Sequence, residues 1–152
     1  MRCALVLLLL AGSGCGGGGG GGTGGGATAA PVGQREPTAE ERADLLIVRA
    51  MLAQNGFADL AAAFDRAHFL IADKLVPGDD APAYWKDLAG YSIGNEVVLL
   101  FTEFPRYHQG MNELIRVTAH ELAHVRGADE AEARATEAAV VQKLGIVSAP
   151  TS

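Results

Sequence analysis

The chain has 152 residues, a formal charge of −6 and no cluster of Lys or Arg, so it lacks the basic face that nucleic-acid binding requires. Its two cysteines, Cys3 and Cys15, both lie close to the N-terminus. The body of the chain therefore has neither a disulfide framework nor a thiolate metal site, and histidine and carboxylate are left to hold any metal.

Residues 1–15 read as a signal peptide. Met1-Arg2 is a short basic start, and the apolar run from Ala4 to Ala11 is too short to cross a bilayer, which takes about 20 residues. Small residues follow, then Cys15. This order resembles a bacterial lipoprotein signal, although Gly12 stands where that family carries an aliphatic residue. The resemblance implies export, lipidation of Cys15, and anchoring on the periplasmic or cell-surface face of a bacterial membrane. The alternative is an ordinary secretory signal cleaved nearby. Residues 16–26 are ten glycines and one threonine, a composition that cannot bury apolar area to offset its ordering entropy. Residues 16–36 thus read as a disordered tether with a reach of roughly 25 Å.

Residues 37–147 are expected to form one domain, with 148–152 as a tail. Thr38 and Glu41 make a capping box at the start of a helix, Leu45, Val48 and Leu52 keep the helical period, and Asn55-Gly56 ends it. A short second helix is expected from Phe57 to about Arg66. Residues His68 to Val76 read as one strand. Leu88–Ile93 and Glu96–Thr102 flank Gly94-Asn95, the pattern of a hairpin. The unbroken apolar run Val97–Phe101 predicts burial on both faces. Asn112 is a plausible cap for a helix to Arg126, with Gly127 just past its end. A last helix should run from about Glu130 to Leu144, capped by Asp129 and stopped by Gly145. Helices, then strands, then helices argue an α+β domain.

The chemistry lies in His120-Glu121-Leu122-Ala123-His124. On a helix, histidines four apart share a face, so two imidazoles can meet one metal ion. Glu121 is placed to reach a water there as general base without ligating the metal. Random order would produce this pattern in roughly one such chain in 150. The bland alternative, a surface helix with two stray histidines, sits poorly with the neighbouring Leu114, Ile115, Val117, Leu122 and Val125, because burying unpaired imidazoles is costly. Catalytic zinc takes a third protein ligand and an open position. Asp129, Glu130, Glu132 and Glu137 follow the motif. Asp129 and Glu132 have capping roles available, which leaves Glu130 as first choice and Glu132 or Glu137 as alternatives.

Residues 117–139 resemble the short gluzincin-type zinc peptidases, in which an HExxH helix is followed by a helix carrying an ExEA(D/N) signature. Here the signature reads Glu130-Ala131-Glu132-Ala133, with Arg134 at the position of its Asp or Asn. The resemblance implies a minimal zincin-like domain: N-terminal helices, a small sheet, the HExxH helix and a C-terminal helix. It also implies Zn2+ held by His120, His124 and Glu130, with Glu121 as the catalytic base, and hydrolysis of a peptide or protein substrate. The family's Asp or Asn supports a zinc-binding histidine, a support that Arg134 does not supply. In zincins a strand such as Glu96–Thr102 often lines the cleft at the sheet edge, where an extended peptide can add. Tyr107 and His108 precede the motif and read as loop residues within reach of the site. His68, Tyr84 and Trp85 read as structural. A catalytically inactive zinc-binding lipoprotein serving as a binding module is the alternative function.

Overall fold

A computed structural model describes residues 29–77, 89–100 and 110–146. In chain order they form β1 (Ala29–Val32), α1 (Ala39–Gln54), α2 (Ala58–Phe64), β2 (His68–Ala72), β3 (Lys74–Pro77), β4 (Gly90–Ile93), β5 (Glu96–Leu100), α3 (Gly110–Val125) and α4 (Glu130–Leu144). The fold is a small α+β fold, as the pattern of elements predicts.

Local signals place most of the boundaries. The Thr38 hydroxyl accepts from the Glu41 amide at 3.2 Å, and the Glu41 carboxylate accepts from the Thr38 amide at 2.7 Å. Two of the amides that a helix start leaves without partners are thereby satisfied. Arg35 grips the same carboxylate with both terminal guanidinium nitrogens, at 2.7 and 2.9 Å. Asn55 and Gly56 end α1 as expected. Asp129 caps α4 by accepting from the Glu132 amide at 2.9 Å, and Gly145 closes it in the left-handed conformation, φ 64°. Helix α3 starts at Gly110, two residues before the Asn112 that the sequence suggested as its cap.

Two small sheets form. β1 pairs antiparallel with β3. β5 is the middle strand of the other sheet, parallel to β2 and antiparallel to β4. Gly94 (φ 61°) and Asn95 make the two-residue turn between Ile93 and Glu96. Val97 to Leu100 are buried without interruption, which is the burial on both faces that their unbroken apolar run predicts.

Three expectations change. The strand expected over His68–Val76 is two strands. It breaks at Asp73, whose amide donates to Val32 O at 2.9 Å and turns the chain out of one sheet into the other. Residues 29–36, expected within the tether, contain β1 and the Arg35–Ile71 bridge. The four residues of β1 find a partner in β3, a pairing between segments over forty residues apart that no local pattern reveals. Finally, β5 is not an edge strand. It is hydrogen-bonded on both sides, and the outer strands of its sheet are β2 and β4.

Helix α3 sits at the centre, packed against α1, α2, α4, β4 and β5. The core joins Leu45, Val48 and Leu52 of α1 and Leu60 of α2 with Val97 and Leu99 of β5 and Ile115, Val117 and Leu122 of α3. A fully buried Leu contributes about 1.5–3 kcal/mol by leaving water. The core thus surrounds the helix that bears the histidines.

Candidate metal centre

Residues 117–123 of α3 are all buried, His120 and Glu121 among them. The chain leaves α3 at Val125, turns at Gly127 (φ 95°) and enters α4 at Glu130. That positive φ is one a residue with a Cβ rarely adopts. The short connection folds the first residue of α4 back over the histidine face.

The result is a triangle. His120 Nε2 and His124 Nε2 are 3.2 Å apart. Glu130 Oε2 lies 3.6 Å from the first and 3.4 Å from the second. Of the carboxylates considered in the sequence, Glu130 alone joins the two histidines. Glu132 is exposed and faces the Arg126 guanidinium at 3.8 Å. Glu137 lies on the opposite ring nitrogen of His120.

Hydrogen bonds fix which ring nitrogens face the triangle. His124 Nδ1 is 2.9 Å from the Ala128 carbonyl oxygen, which can only accept. His120 Nδ1 is 3.0 Å from Glu137 Oε2, an acceptor as a carboxylate. Both Nδ1 atoms therefore carry protons, and in the neutral rings both Nε2 atoms present lone pairs. Glu130 Oε2 is buried and has no hydrogen-bond partner. Its other oxygen accepts from Arg134 Nε at 2.7 Å. Three acceptors converge with no donor among them, an arrangement that a cation or an added proton must balance.

The spacing fits a metal. Nitrogen and oxygen ligands at 2.0–2.1 Å in tetrahedral order lie about 3.3 Å from one another, and the three edges here are 3.2, 3.4 and 3.6 Å. Among the described residues, His120, His124 and Glu130 are the group whose ligand atoms come together in this way. The structure thus holds a largely buried His-His-Glu group able to take a metal ion.

The charges around the group pull its histidines apart. Burial lowers His120, but its hydrogen bond to Glu137 and the charges of Glu121, Glu137 and Glu130 outweigh this and raise it. Burial dominates at His124 and lowers it. Glu121 is pushed up to about 7, chiefly by burial. One of its oxygens accepts from Ser92 Oγ at 3.0 Å, and the other has no partner. Close approach of β4 makes this contact. A Cβ on Gly90 would come within 3.1 Å of Val117 Cγ1 and of the Val98 carbonyl, and within 3.5 Å of Glu121 Cγ.

Several members of the site escaped the sequence reading. Ser92 could have been suspected from the small residues Gly90 and Ser92 at alternate positions of a strand, which leave room for a helix. Arg116 is four residues before His120, and Glu113 three before that, so all share one face of α3. His68, expected to be structural, lies on the surface away from the triangle, its Nε2 2.7 Å from Glu36 Oε1. Tyr84, Trp85, Tyr107, His108 and Cys15 lie outside the described residues.

The chain matches no protein-family model, no curated protein and no solved structure.

Proposed function

We propose that the chain is a zinc-dependent peptidase of minimal zincin-like architecture. One observation carries the reading: two imidazole lone pairs from the buried helix α3 and a carboxylate oxygen from α4 meet within 3.6 Å, without a donor. Two nitrogens and one oxygen suit Zn2+, and three protein ligands leave a position open, as catalytic zinc sites do. When bound, zinc lowers the pKa of a water and polarises a carbonyl.

The chain's own residues supply the rest. His120 and His124 direct Nε2 into the site because their Nδ1 atoms are engaged elsewhere. Arg134 occupies one oxygen of Glu130 and leaves the other to ligate. Glu121 takes a proton from water on its unpartnered oxygen and returns it to the leaving amine, while Ser92 steadies the second oxygen. An extended peptide would add along β4, the outer strand that packs on α3, rather than along β5. In this reading the domain is exported, lipidated at Cys15 and works at a bacterial membrane surface on peptide or protein substrates.

The test pairs metal analysis with a peptidase assay. The wild type should bind zinc and hydrolyse peptide. Glu121→Gln should keep the zinc and lose hydrolysis. A wild type that binds zinc without hydrolysing any peptide of a broad library would make the chain a zinc-binding module instead. A wild type without zinc would end the reading.

A further inference from the structure

Glu137 lies seven residues, two helical turns, beyond Glu130 on α4, and its two oxygens do different things. Oε2 takes the Nδ1 proton of His120 at 3.0 Å, and Oε1 accepts from Arg116 Nη1 at 2.7 Å. Arg116 is itself fixed by Glu113, donating through Nε at 3.0 Å and through Nη2. Glu113, Arg116 and His120 sit at i, i+3 and i+7 on one face of α3, so the helix presents them in a row. Glu113, Arg116 and Glu137 are mostly buried, with 13 to 22% of their surface exposed. A row of this kind has less freedom to move than a surface ion pair, and it ends on a ring nitrogen.

We propose that Glu137, held by Arg116 and Glu113, is the positioning residue for His120 as a metal ligand. This inference rests on the zinc reading above. The signature position that supports a histidine in the resembled family is Arg134 here, and Arg134 has turned to the Glu130 carboxylate instead. The duty has moved one turn along α4, to a carboxylate that must reach across to α3. The relay holds the imidazole's tautomer and orientation, and its negative end makes Nε2 a better donor to a cation. Partners in this outer position typically change metal affinity 10–100-fold when removed. A purely packing role for the same row would lower the stability of the metal-free chain and leave affinity alone.

The experiment is zinc affinity of the full-length chain, measured by competition with a chelating dye. It is read with the visible spectrum of the Co2+-substituted protein and the unfolding midpoint of the metal-free protein. Glu137→Gln keeps the shape and removes the charge. It should weaken zinc binding about 10–100-fold and shift the Co2+ spectrum, with the metal-free midpoint nearly unchanged. Arg116→Lys keeps a cation but loses the two-pronged grip, and should weaken binding less, in the same direction. It also serves as the readout should Glu137→Gln fail to fold. Wild-type affinity and an unaltered spectrum in the variants would overturn the inference while leaving the zinc site in place. Absence of zinc from the wild type would instead remove the reading beneath it.

Discussion

Helices α3 and α4 are neighbours of nearly equal length, 16 and 15 residues, and both carry the candidate site. They are held in opposite ways. Eight residues of α3 are buried, against sheet, helices and core. In α4 only Ala133 and Val140 are buried. Hydrophobic burial places the histidines, and it would do so with or without a cation. The candidate ligand Glu130 rides on a helix that buries less: its docking draws on Ala133, Val140 and the half-buried Leu144, the Gly127 turn and polar links, namely Arg116 to Glu137, His120 to Glu137, and the triangle itself. A metal in the triangle would thus join a fixed element to a lightly held one, so that metal binding and α4 docking are one coupled event.

The largest test of this contrast is in the core. Leu122→Ala should destabilise the metal-free chain by about 2–5 kcal/mol, seen as a lower urea midpoint. Val140→Ala, on α4, removes fewer atoms and should cost about 1–3 kcal/mol, with its main effect a loss of zinc affinity. Equal losses of stability and affinity in both variants would erase the distinction between the helices.

Metal addition should come next in size. At a free zinc concentration 100 times the dissociation constant, binding stabilises the fold by about 2.7 kcal/mol. Hydrogen exchange should show the protection concentrated in α4, with little change in α1. Uniform protection would mean that α4 is as firmly placed as α3 before metal binds.

Gly90→Ala sharpens the account from the sheet side. The added methyl would meet Val117 and the Val98 carbonyl at 3.1 Å, pushing β4 from α3. A destabilisation of about 1–2 kcal/mol by chemical denaturation is expected.

The smallest effect lies at the start of α1, outside the candidate site, and serves as a control. Glu41 is held down to about 2, first by its hydrogen bond from Arg35 and then, against burial, by its bonds to Thr38. Its folded value is below its ordinary one of 4.5, so its contribution is present above that value and lost as pH falls from there toward about 2. With the partly exposed Arg35 screened by solvent, the contribution is about 1 kcal/mol. Metal-free unfolding followed from pH 5 down to pH 2 should lose that amount in the wild type and less in Glu41→Gln.

What could be read in advance was local. The Thr38–Glu41 box, the Asp129 cap, the Gly145 stop and the i, i+4 histidines depend on residues within one or two turns of each other, and each stands where the sequence puts it. The Gly94-Asn95 turn belongs with them. What could not be read depends on contacts between distant segments. β1 and β3 pair across more than forty residues, Ser92 meets Glu121 across 29, and Glu137 meets His120 across 17. The central place of β5 is of the same kind: its apolar run shows burial, but burial does not say which strands flank it. Arg134 could be seen to depart from the resembled signature, yet the carboxylate that takes over its duty is one turn further on, and only the crossing of the two helices brings it to His120.

The central claim is that His120, His124 and Glu130 together hold one metal ion. Native mass spectrometry of the zinc-equilibrated wild type, His120→Ala and Glu130→Ala tests it most directly. The account predicts about one zinc per wild-type chain, with zinc lost from His120→Ala and greatly reduced in Glu130→Ala. Equal zinc in all three proteins, or none in the wild type, would contradict it.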